Sequence, residues 1–76
     1  MVDPRRRDEY VKEIMQILRE NYSGKQLEAL AEAGGVPNVC EAIQMKCQKR
    51  DDYDPAAFDE AVEQVDRDLR LGLAIT

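Results

Sequence analysis

The residues able to do chemistry are few, and their spacing argues against most of it. Cys40 and Cys47 are the two thiols, and there is no histidine. Seven residues apart on one helix, they share a face but stand about 10 Å apart along the axis. A disulfide needs Cα atoms within about 7 Å, so none is expected between them. Without histidine or a Cys-x-x-Cys pair, no zinc site is expected. The better reading is two buried, reduced, structural thiols. No nucleophile stands beside a base in a recognisable pattern. Gly24-Lys25 is only a fragment of a phosphate-binding loop. Asp59 and Glu63 fall on one solvated helix face, where carboxylates need no catalytic role. The chain is therefore expected to be non-enzymatic, with no catalytic residue, cofactor or resident metal.

Three motif frames come closer. Asp52, Asp54, Glu60 and Glu63 fall at positions one, three, nine and twelve of a calcium-binding EF-hand loop. Ala56 and Ala57 occupy positions where that loop needs a ligand and a glycine, and Pro55 starts a helix inside it. Helix capping and solubility account for these acids. Acyl carriers are also small, acidic and four-helical, but present a serine in an Asp-Ser-Leu context. The only serine here, Ser23, lies in Tyr-Ser-Gly-Lys and is explained as a cap.

The third frame is a helix-turn-helix. Leu27 to Val36 resembles the first helix and turn of bacterial repressor units, with the small residue and Gly-Val turn in register. The resemblance covers about ten residues and implies a DNA-reading helix after it. That helix would open with Asn38, Val39 and Glu41. Glu41 replaces the apolar core residue of the repressors, and few basic groups stand near the helix start. An ordinary helical hairpin is the expectation, with a DNA-binding regulator using residues 26–50 as the alternative.

Behind these residues stand four amphipathic segments. The most strongly marked is 55–71. Asp54 is a suitable N-cap and Pro55 a suitable first helical residue. Phe58, Ala61, Val62, Val65 and Leu69 fall within an arc of about 100°, the width of a core-facing stripe. Glu63–Arg67 and Asp66–Arg70 are i,i+4 pairs in the favourable order. Gly72 marks the end.

Asp3-Pro4 repeats the same start signal, predicting a helix over about 3–22. Its apolar residues, from Tyr10 to Tyr22, spread over about 160°, which implies more than one neighbour. Ser23 with Gln26 reads as a capping box opening a helix over 24–33, closed by Gly34-Gly35. Pro37 disfavours helical geometry at Val36. Asn38 with Glu41 is thus a second possible capping box, predicting a third helix over 38–50. Val36, Cys40, Ile43 and Cys47 line one side, and Met45 lies opposite. The fold expected is all-α, a single small domain over 1–76 with four helices in a compact array and a short apolar C-terminal tail. Helices one and four should bury the most surface.

Composition narrows the partners. The chain has 76 residues and a net charge of −5, enough for one modest core. Residues 1–24 carry five basic and five acidic side chains, 25–50 four and three, and 51–76 two and eight. An excess of acid confined to the last third argues against a nucleic-acid binder, which needs a basic face. The arginines near the N-terminus are followed by no apolar run, so no signal peptide is expected. No run is long enough to span a bilayer. The expectation is a soluble, intracellular, cytoplasmic protein that binds another protein: an adaptor, an inhibitor or a small regulatory subunit. Met45, Leu71, Leu73 and Ile75 are the apolar candidates for that contact. Asp59, Glu63 and Asp66 are the acidic candidates, suited to steering a partner with a basic surface. A small homodimeric structural protein is a further alternative.

Overall fold

In the computed structural model, which describes residues 2–72, four helices form in chain order: α1 (Pro4–Asn21), α2 (Gly24–Glu32), α3 (Val36–Cys47) and α4 (Pro55–Arg70). All regular structure among the described residues is helical. The first, second and fourth helices begin as their sequences dictate. The Asp3 carboxylate accepts from the Arg5 N–H, and the Asp54 carboxylate from the Ala57 N–H. Ser23 and Gln26 form the reciprocal capping box: Ser23 Oγ accepts from the Gln26 N–H, and Gln26 Oε1 from the Ser23 N–H. Each bond satisfies a donor that the first helical turn leaves unpaired.

The end of α2 is a Schellman motif. Gly35 N–H donates to the Leu30 carbonyl and Gly34 N–H to that of Ala31. Gly34 takes φ +72°, a conformation that side chains with a Cβ resist.

The third helix departs from expectation at both ends. It begins at Val36, not Asn38; Gly35 is the N-cap, and no side chain caps the turn. The Asn38–Glu41 capping box does not form. Pro37 sits inside the first turn, where its missing N–H would have found no partner anyway. Val36 is fully buried, and that burial outweighs the local preference of a residue before proline. At the other end the helix stops at Cys47 rather than Arg50. Lys49 and Arg50 N–H groups donate to the carbonyls of Lys46 and Cys47, three residues back, in a tightening turn. Only Lys46 of the three basic residues lies in the last helical turn.

The core is one cluster. It comprises Tyr10, Ile14 and Leu18 of α1, Leu27 and Ala31 of α2, Val36, Cys40, Ile43 and Cys47 of α3, and Ala57, Phe58, Ala61, Val65 and Leu69 of α4. Helix α4 is its axis: α1, α2 and α3 all pack on it, α1 most extensively. Helix α1 also meets α2, in accord with its wide apolar arc. Helices α2 and α3 touch each other only marginally. On α4 the buried arc includes Ala57 and leaves Val62 half-buried. It is shifted away from Val62, which becomes the edge of the stripe on the side of α3. No helix among the described residues is long and apolar enough to cross a membrane.

Candidate interaction surface

Antiparallel or not, two helices that pack side by side leave a furrow along their shared outer edge. The furrow between α3 and α4 encloses about 420 Å³. Its floor is Pro37 and Cys40 from α3, with Phe58 and Val62 from α4. Its charged lining consists of Glu41 on α3 and of Asp59 and Glu63 on α4. Gln44 completes the lining, and its Nε2 donates to the Tyr53 hydroxyl at 3.0 Å. Cys40 and Phe58 are almost sealed, whereas Val62 remains half-buried, so apolar surface stays in reach of solvent at the centre.

The three carboxylates are left over from the protein's own pairing. Elsewhere, Asp8 pairs with Arg7, Glu13 with Arg50, and Asp66 with Arg70. Glu41, Asp59 and Glu63 make no hydrogen bond or ion pair among the described residues. The Glu63–Arg67 pair anticipated from i,i+4 spacing does not form, whereas Asp66–Arg70 does, at 3.2 Å.

Of the apolar residues picked from sequence, Met45 and Leu71 stand out in solvent, 67% and 65% exposed. They do not line the furrow. Leu71 caps α4 beside Glu63, Asp66, Arg67 and Arg70, and Met45 lies on the opposite side of α3 from its buried stripe. Leu73 and Ile75 lie outside the described residues. Of the acids, Asp59 and Glu63 come together on the furrow with Glu41. Asp66 does not join the outer face: only a fifth of its side chain is exposed, and Oδ1 is buried without a hydrogen-bond partner.

Asp66 instead bears on Cys40. Burial, and then the negative charge of Asp66, push the Cys40 thiol up to about 11. Burial also raises Cys47, helped by Glu13 and opposed by Arg50. Both cysteines are free and buried, so they serve the core as uncharged, weakly polar side chains rather than as nucleophiles. No group of three or more cysteine, aspartate or glutamate side chains among the described residues could hold a metal ion. In the calcium frame, Asp54 is committed as the α4 cap, and Glu60 and Glu63 lie on the helix itself.

Sequence reasoning missed the furrow because it is made by two helices at once. Val62 belongs to the predicted stripe but lies at its edge, and Glu41 reads locally as a capping-box partner of Asn38 and as a misfit to the repressor pattern. A stripe-edge valine on one helix and an unpaired acid on another become a site only when α3 is laid on α4.

No protein-family model matches this chain, and no curated protein or solved structure shows significant similarity to it.

Proposed function

We propose that the chain is a non-enzymatic protein–protein interaction module, acting as an adaptor, inhibitor or small regulatory subunit, and that it binds through the α3–α4 furrow. The observation that carries this reading is the pairing of a half-buried apolar edge at Val62 with three acids that have no hydrogen-bond or ion-pair partner among the described residues. Apolar surface in a polar surround is the usual composition of a recognition patch. Buried free thiols fit a reducing, intracellular and cytoplasmic setting.

Two observations weigh against the DNA-binding alternative. Helices α2 and α3 meet only marginally, whereas a reading helix needs firm support from its companion. The exposed face of α3 also presents Glu41, in the middle of the helix, which would repel phosphate.

The test is comparative affinity capture from the host with the wild-type chain, a Val62→Asp variant and a Met45→Ser variant. Proteins lost with Val62→Asp but kept with Met45→Ser support the furrow. A captured set that ignores Val62→Asp and changes with Met45→Ser or Leu71→Ser moves the binding face elsewhere. Salt-sensitive binding to mixed DNA, abolished by Lys46→Glu, Lys49→Glu and Arg50→Glu together, would replace the proposal with the DNA-binding reading.

A further inference from the structure

We infer that the occupant of the furrow is a short amphipathic helix of a partner protein, with an aliphatic anchor flanked on both sides by lysine or arginine. This rests on the furrow being the binding face.

Charge gives the first part. Every charged residue lining the furrow is acidic: Glu41 on one wall, Asp59 and Glu63 on the other. None makes an ion pair among the described residues, so a cation brought to this rim displaces no existing pair. An acidic or phosphate-bearing ligand would meet repulsion on both walls.

Spacing gives the second. Asp59 and Glu63 are one turn apart on α4, about 6 Å along its axis. A partner helix repeats its own side chains at that interval, so basic residues at i and i+4 can address the α4 wall. Glu41, on α3 across the floor, calls for a further basic residue on the other flank. The Gln44 side-chain carbonyl can accept from the same flank, because its amide nitrogen is already turned to Tyr53.

The floor gives the third. Phe58 and Cys40 close it from below, so an entering side chain rests on Val62 and Pro37 rather than in a deep slot. Such a shallow seat suits leucine, isoleucine or methionine. An extended strand has no template here, since the described residues contain no sheet edge to add to.

The experiment is selection of displayed peptides of about 16 residues, some four helical turns, on the intact chain. Winners are synthesised and titrated calorimetrically against wild type, Val62→Asp and the double variant Asp59→Lys/Glu63→Lys. Circular dichroism confirms that each variant is folded. The double variant changes only exposed side chains and keeps the test decisive should Val62→Asp unfold. The expected winners carry an aliphatic residue with lysine or arginine on both sides and become helical when bound. They should lose about tenfold or more in affinity to the double variant and weaken between about 50 and 300 mM salt. Winners that need Val62 but lack basic flanks, or bind the double variant as tightly, overturn the inference and leave the furrow as the binding face. Winners indifferent to both variants, or no winners at all, overturn both. A concentration-dependent dimer of the free chain that Val62→Asp dissociates would make a second copy the occupant and also overturn the inference.

Discussion

The Tyr10 hydroxyl accepts a hydrogen bond from the backbone N–H of Asp54 at 3.1 Å, joining the middle of α1 to the cap of α4. Asp54 is thereby held twice, since its carboxylate caps the Ala57 N–H at 3.2 Å. The Tyr10 ring also meets Phe58 edge-on, with centroids 5.4 Å apart, and tilts against Tyr53 at 6.4 Å. One side chain therefore ties the two helices with the largest shared contact to the connector that precedes α4.

Tyr10→Phe removes that acceptor while keeping the ring. It should cost about 1 kcal/mol, the net worth of one hydrogen bond. Tyr10→Ala also removes the ring packing and should cost about 3–5 kcal/mol, enough to unfold much of so small a domain. Urea denaturation followed by circular dichroism measures both. Equal losses for the two variants would mean that the ring contributes nothing.

The buried thiols set an alkaline limit. A folded Cys40 pKa of about 11, above its ordinary 9.0, favours the neutral thiol in the folded state. The resulting stability is fully present below about pH 9 and is lost as pH rises through about 11. Cys47 shifts in the same direction. Cys40→Ala should flatten the alkaline fall in denaturation midpoint, even though it lowers stability at neutral pH. Neither thiol should react with a disulfide reagent near pH 8 until denaturant is added. Fast reaction of both in the native protein would contradict their burial.

The α2–α3 corner depends on Gly34. Gly34→Ala must hold an L side chain at φ +72° and should cost about 1–2 kcal/mol. Gly35→Ala tests a different term. Its new Cβ would stand 2.7 Å from Leu30 Cδ1, the movable end of a side chain, so Leu30 must shift to admit it. A Leu30→Ala background should relieve the Gly35 variant and leave the Gly34 variant as impaired as before. Thermal melts of the four combinations decide it.

Arg50 and Glu13 make a two-pronged ion pair between α1 and the turn after α3, one prong being Arg50 Nη1 to Glu13 Oε2 at 3.0 Å. Both side chains are partly open to water. Breaking the pair with Glu13→Gln should therefore cost less than about 1 kcal/mol and less still at high salt. A larger, salt-independent loss would give the pair a structural weight that its exposure denies it.

Met45 and Leu71 contribute little to the fold. Met45→Ser and Leu71→Ser should each leave stability within about 0.5 kcal/mol of wild type. A clear loss on Leu71→Ser would show that this exposed leucine is covered in the native protein in solution.

The sequence by itself determined the helices wherever a local signal was sufficient. Asp3-Pro4, Asp54-Pro55 and the Ser23–Gln26 pair name their own helix starts, because a cap bonds only to residues two or three positions away. Gly34-Gly35 names an end for the same local reason. The sequence also separated buried Cys40 and Cys47 from exposed Met45, since helical periodicity alone puts them on different faces. Tertiary structure decided the rest. Val36 entered α3 against the preference set by Pro37, because the core rewards its burial more than the local backbone penalises it. Asp66 turned inward toward Cys40, and Arg50 left the helix end to meet Glu13, both through neighbours remote in the chain. The furrow belongs to this second class: Glu41 and Glu63 face a common floor only because α3 lies along α4, and no spacing within either helix encodes that meeting.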